Sequence, residues 1–381
     1  MSASQHSQPA PPGGLFAFCR SELALLVGLA SAAAFLCFGT RMEESVVPWH
    51  LVGVFVWLFL GVLWAAISVV RHADCLAVKF GEPYGTLILT LSAISIEVMM
   101  ISATMLHGAN NPTLARDMMF AVLMIALNGL IGLSLLLGGL RHREQQYNLQ
   151  GTGAYLNTIM ALAVLSLILP DFTTSLSGPR LNASQETFLI VVSLSLYAIF
   201  LFIQVRRHSG FFRETSGVSS ADEVEHHHLV VRSTPFHAAM LVLYLVVVVL
   251  LAEKFGVPLD NCIERFGMPQ ALGGAIVASL VLAPEALSGV QAAMRNHLQR
   301  SVNVLHGSVL ASIGLTIPAV LVIGMTTGRT VTLGLDGGNL PLLILTFAVS
   351  IVSFGSGKTS VLQGCIHLLL FAVFLLLIFS P

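Results

Sequence analysis

Apolar residues dominate this chain in long runs separated by short polar stretches. Eleven runs approach the roughly 20 residues that a helix needs to cross the hydrocarbon core of a bilayer. They are 21–39, 46–70, 83–106, 118–140, 154–170, 187–205, 236–252, 269–292, 301–324, 340–354 and 361–379. The first, with Arg20 before it and small residues such as Ser31 and Ala32 within it, has the outline of a signal peptide. It is too long for one, and the sequence after it is itself membrane-spanning. The connections are short apart from 206–235, so no soluble domain is inserted.

Composition agrees with that pattern. Of 381 residues, 55% are hydrophobic and 10% charged, where an ordinary soluble domain has about 25% charged. The mean hydropathy is +0.86. A soluble enzyme, a disordered regulator and a nucleic-acid binder are excluded, and a net charge of -1 offers nucleic acid no basic surface. The five cysteines (Cys19, Cys37, Cys75, Cys262, Cys365) form no CxxC pair, so there is neither a disulfide framework nor a zinc signature. No cofactor is expected, and the lipid bilayer is the expected surrounding.

Lys and Arg in the loops set the orientation. With eleven spans, one side carries the N-terminus and loops 71–82, 141–153, 206–235, 293–300 and 355–360, which hold 12 of the 18 basic residues. That side is expected to be cytoplasmic and the C-terminus external. Residues 1–20 read as a tail, 21–40 as a first helix and 46–206 as one set of five helices. Residues 207–235 read as a cytoplasmic loop and 236–381 as a second set of five. The loop carries Asp222, Glu223, Glu225, His226, His227 and His228, a solvated run with a latent capacity for metal. Gly355-Ser-Gly-Lys-Thr lacks the first glycine of a phosphate-binding loop, because position 352 is Val.

Among 19 acids, Glu97 and Glu285 alone lie well inside these spans. An acid at the bilayer centre costs about 2.5–3.5 kcal/mol on insertion scales. No span centre holds a Lys or Arg to neutralise it. Intramembrane acids of this kind mark ion and proton paths. Thr86, Thr90, Glu97 and Thr104 share one helical stripe, although threonines also bond their own helix backbone. Pro284 precedes Glu285 and removes the bond to the carbonyl of Leu280.

The two acids occupy matching places. Each sits in the second helix of its five, after a Gly-x-Pro entry: Gly81-Glu82-Pro83 and Gly267-Met268-Pro269. In the third helices, Asn128-Gly129 with Ser134 echoes His306-Gly307 with Ser312. A five-helix unit inserts its second copy upside down, which is the inverted-repeat plan of secondary transporters. The expected fold is therefore an all-α membrane protein of about 11 transmembrane helices, one N-terminal helix plus two inverted five-helix repeats.

At these residues the chain resembles the bacterial ChaA-type calcium/proton antiporters of the calcium/cation exchanger superfamily. The stretch from Phe80-Gly-Glu-Pro-Tyr-Gly-Thr to Glu97 resembles the first repeat signature. Leu282-Ala-Pro-Glu-Ala-Leu and Asn303-Val-Leu-His-Gly-Ser resemble the second, and Gly138-Gly-Leu-Arg-His-Arg-Glu-Gln is also similar. The resemblance implies a bacterial inner-membrane protein that exports calcium against proton entry, with sodium and potassium as further candidate cations. It assigns the exchange to Glu97 and Glu285. Plant and fungal relatives carry Gly-Asn ahead of each glutamate, where this chain has Ala93-Ile94 and Val281-Leu282.

Calcium takes 6–8 oxygens. Glu97 and Glu285 supply charge, and Thr90, Ser308 and Ser312 are candidates to supply hydroxyls. Asn128 and His306 are further supporting candidates, His306 as a packing residue or a proton relay. Three other readings stand beside calcium exchange. One is a sodium or potassium/proton antiporter on the same scaffold. Another is an intramembrane enzyme using the two acids as acid and base. The last is a channel with a glutamate ring.

Overall fold

The structure, a computed structural model, describes residues 21–43, 48–80, 84–107, 111–213, 232–335 and 337–380. The tail 1–20, the Gly81-Glu82-Pro83 entry and the acidic, histidine-rich run 222–228 lie outside the described residues. The described residues form eleven helices: α1 (Leu23–Glu43), α2 (Pro48–Phe80), α3 (Tyr84–His107), α4 (Leu114–His142), α5 (Leu149–Phe172) and α6 (Ala183–Arg207), then α7 (Thr234–Arg265), α8 (Ala271–Met294), α9 (Leu298–Thr327), α10 (Asn339–Ser353) and α11 (Val361–Phe379). Eight are long and apolar enough to cross a membrane; α1, α3 and α10 offer the shorter apolar stretches Leu23–Cys37, Thr90–Leu106 and Asn339–Ser353.

Two helices outrun their sequence-predicted spans. The second was expected to end at 70 and the seventh at 252, but α2 runs to Phe80 and α7 to Arg265. Polar residues such as Arg71, His72 and Asp74 read as loop. His72 is buried, and Arg71 and His72 find partners on other helices, so the helix continues through them.

Contacts repeat between the two halves. The first helices, α2 and α7, pack along each other, and α1 lies against both. Helix α3 crosses α9, while α8 lies on α4. Helix α6 packs on α9 as α11 packs on α4. The most enclosed helices are therefore the two third ones, α4 and α9, with 78% and 67% of their apolar windows buried against 22–44% for the other long spans. Both are interrupted by a π-helical segment, Met124–Leu130 in α4 and Ser312–Thr316 in α9. Those segments begin 188 residues apart, the same offset that separates Glu97 from Glu285. This corrects the expected register: Asn128 corresponds to Thr316, not to His306.

The connections sort into two sides. Gln145–Gln146 pairs antiparallel with Lys358–Thr359, the Gln145 amide donates to the carbonyl of Ala293 at 2.7 Å, and Lys79 donates to the carbonyl of Arg232. On the other side Thr332 N donates to Pro112 O, and Leu335 N to Leu167 O. These are the loop groupings that eleven crossings require.

Bare glycines let the helices approach. A Cβ on Gly274 of α8 would stand 2.8 Å from backbone atoms of Asp117 and Met118 in α4, and one on Gly364 of α11 would stand 2.5 Å from Leu136 N. Neither neighbour is a side chain that can swing away. Gly274→Leu and Gly364→Leu are each expected to cost about 1–3 kcal/mol by overpacking. The check is thermal unfolding in detergent, with Gly53→Leu, which meets nothing within 4 Å, as the unaffected control.

Candidate functional site

Glu97 sits in the middle of α3 with 2% of its surface exposed. Ser312, the first residue of the π segment of α9, donates its hydroxyl to Glu97 Oε2 at 2.6 Å. A π segment adds a residue to the turn and is often found at functional positions. Thr316, four residues on, places its hydroxyl beside the same carboxylate without a hydrogen bond of normal geometry. Glu97 Oε1 is buried with no partner.

Glu285 lies on α8, a helix that continues unbroken through Pro284. Its Oε2 is likewise buried without a hydrogen bond, and its charge is within electrostatic reach of Glu97. Because α8 and α4 touch at Gly274 and Asp117 near the start of each, they run parallel from there. Eleven residues further along both helices, about 16 Å of rise, come Glu285 and Asn128. The internal register agrees: Asn128 is offset from Thr316 by the same 188 residues that separate Glu97 from Glu285.

Asn128 is fully buried and held by a directed chain of hydrogen bonds. Thr346 Oγ1 donates to Leu342 O at 2.8 Å and so accepts from Asn128 Nδ2, also at 2.8 Å. That leaves Asn128 Oδ1 to accept from His367 Nδ1 at 3.1 Å, and His367 Nε2 to accept from Ser353 Oγ at 3.2 Å. The chain joins α4, α10 and α11 and fixes the orientation of the amide.

Other expected residues are placed differently. Ser308 is half-buried one turn before Ser312 on α9. His306 is enclosed by Tyr155 and Phe354, its Nδ1 is 3.2 Å from Val302 O of its own helix, and its buried Nε2 has no partner. Thr104 bonds its own helix at Met100 O, so the threonine stripe does not act as one set of ligands. Thr90 is half-buried on the same helix, and the side chain of Thr86 lies outside the described residues.

Three residues escaped the sequence reading. Thr316 and His367 looked like ordinary polar residues in apolar runs. Asp74 acts electrostatically on Glu285 from α2. For Asp74 a signal existed: Asp74-x4-Lys79-Phe80-Gly81-x-Pro83 repeats as Asp260-x4-Arg265-Phe266-Gly267-x-Pro269. Among the described residues no three His, Cys, Asp or Glu side chains gather as a metal centre.

The sodium/calcium exchanger protein family matches residues 50–206 and 236–380, one stretch in each half. A putative ionic transporter, y4hA of Sinorhizobium fredii, is 44% identical over 83% of this chain and 86% of its own length. The sodium-potassium/proton antiporter ChaA of Escherichia coli is 37% identical over 84% and 87%. The solved structure of native YfkE superposes with a TM-score of 0.69 at 17% identity, over 94% of this chain and all of that one. The H+/Ca2+ exchanger CAX does so with 0.66, also at 17% identity, over 94% and 89%. These two likenesses establish the fold.

The Glu97–Ser312 contact can be weighed by a double-mutant cycle on stability. Glu97→Gln and Ser312→Ala are expected to couple by about 1–3 kcal/mol. Glu97→Gln and Ser353→Ala, the latter in the Asn128 chain, are expected to add within about 0.5 kcal/mol.

Proposed function

We infer the function from one premise: the chain belongs to the sodium/calcium exchanger protein family. It is an integral membrane transporter, and the enzyme reading falls away. In our reading it exchanges cytoplasmic cations for protons, with Glu97 and Glu285 as the shared site. The observation that carries this is the pair of buried carboxylates, each with one oxygen lacking a partner, in electrostatic contact and with Ser312 donating a hydrogen bond to Glu97. Such a pair is unstable as a bare dianion in a medium of low dielectric. Two protons neutralise it; so does one calcium ion or two monovalent cations. Competition for the same oxygens couples the flows, because either load permits the site to change sides and the empty charged site does not.

Ser312, Thr316 and Asn128 complete the shell in this reading, with Ser308 and Thr90 near its rim. His306 is a packing residue with one free nitrogen. Calcium is the first cation, on the two carboxylates and the oxygen-rich surround. Sodium or potassium is the second reading, favoured by the relative at 37% identity that is named for those ions. The repeats 46–206 and 236–381 would rock about the site. The N-terminus and the 207–235 loop face the cytoplasm by the distribution of basic residues.

Sealed vesicles with a trapped pH dye test this. With an acid interior, external calcium, sodium or potassium is expected to trigger alkalinisation, and the ranking of ions selects the cation. Glu97→Gln and Glu285→Gln should each abolish the signal. Raising the pH on the loading side should tighten apparent cation affinity by up to about tenfold per unit for each proton displaced. A signal that survives both substitutions contradicts the assignment.

A further inference from the structure

Away from the glutamates, a second buried polar cluster joins three helices at the end of the molecule where α1 begins. Glu22, just before α1, accepts from Arg71 at 2.7 Å and from Tyr244 of α7 at 2.9 Å, and lies 3.3 Å from His72 Nε2. His72 Nδ1 of α2 is 2.9 Å from His237 Nδ1 of α7. His237 Nε2 accepts from the backbone N–H of Arg232, which lies two residues before α7, at 2.8 Å. Both histidines are 2% exposed.

These contacts leave one arrangement of protons. A backbone N–H only donates, so His237 Nε2 is bare and a neutral His237 carries its proton on Nδ1. His72 Nδ1 must then be bare, and His72 carries its proton on Nε2, pointing at Glu22. The run is unidirectional: Arg232 N–H to His237, His237 to His72, His72 to Glu22. Arg71, 3.2 Å from His72 Nε2, then directs its hydrogen bond to Glu22. There is no room for another proton. A second proton on His72 would set two N–H groups against each other across the His72–His237 gap. A second proton on His237 would face the Arg232 N–H.

We propose that the His72–His237 pair is a proton-binding site separate from the glutamate pair, and that taking up a proton there opens the clamp joining α1, α2 and α7. The proton enters at His237 Nε2, beneath the half-exposed Arg232, and displaces the Arg232 amide. The groups facing the pair are Glu22 from α1, Arg71 and Lys79 from α2, Tyr244 from α7 and Arg232 from the loop end. The carboxylate favours the added proton. The three bases oppose it within the clamp, so the protonated pair is relieved when the helices part. Since α2 and α7 are the leading helices of the two repeats, the site reports pH on its own side to both halves. That consequence for transport rests on the function proposed above; proton binding does not.

The test is deuterium uptake at the Arg232 amide, resolved by residue and corrected for intrinsic exchange, in the full chain in nanodiscs. Protection is expected to fall several-fold between about pH 8 and about pH 4, as one hydrogen bond is lost when His237 takes up the proton. The same fall is expected in Glu97→Gln/Glu285→Gln, where the exchange site is disabled. In His72→Gln/His237→Gln uptake should be independent of pH. Flat protection in the unmodified chain overturns the proposal. So does a fall that persists without the histidines, or one that vanishes with the glutamates. If transport is absent but the fall remains, the function is wrong and the proton site stands.

Discussion

The structure depends on a carboxylate that has no base to pair with. Glu97 is 2% exposed and bonded at one oxygen by Ser312, and Glu285 stands within its field. Burying either as an anion is costly, and burying both is costlier. Two features accompany that constraint, although α5 and α6 carry π segments as well. The π segment in α9 turns hydroxyls toward Glu97. The matching segment in α4 brings Asn128 to the level of Glu285. The two most enclosed helices are those that carry these segments, so the core is densest where the charge must be managed.

The halves correspond in register but differ in chemistry. Met124 and Asn128 of α4 answer to Ser312 and Thr316 of α9. Glu97 thus has two hydroxyls beside it, whereas the residues of α4 at the equivalent positions are a thioether and an amide whose oxygen is already engaged by His367. A symmetric backbone then holds two unlike half-sites. In the proposed exchange, the cation would find its ready oxygens on the Glu97 side.

Much of this was legible in the sequence. The eleven apolar runs became eleven helices, and the two acids at matching positions revealed the repeat. Hydropathy failed where polar residues are buried by partners far along the chain. His72 meets His237 across 165 residues, so α2 was expected to end at residue 70, ten residues before its end at Phe80. The register of the third helices was misplaced because Asn-Gly and His-Gly are similar in text, while the π segments that set the true offset leave no mark in composition. Asn128 was expected at the site, but its chain to Thr346 and His367 depends on α10 and α11, which no local pattern links to it.

The central claim is that cation and proton compete for the same two carboxylates. The most direct measurement is proton release on cation binding, with purified protein in weakly buffered detergent and no membrane gradient. Adding the transported cation should release protons in a saturable way, and the release should disappear in Glu97→Gln/Glu285→Gln. Saturable cation binding with no proton released, or release unchanged in that variant, would contradict the account.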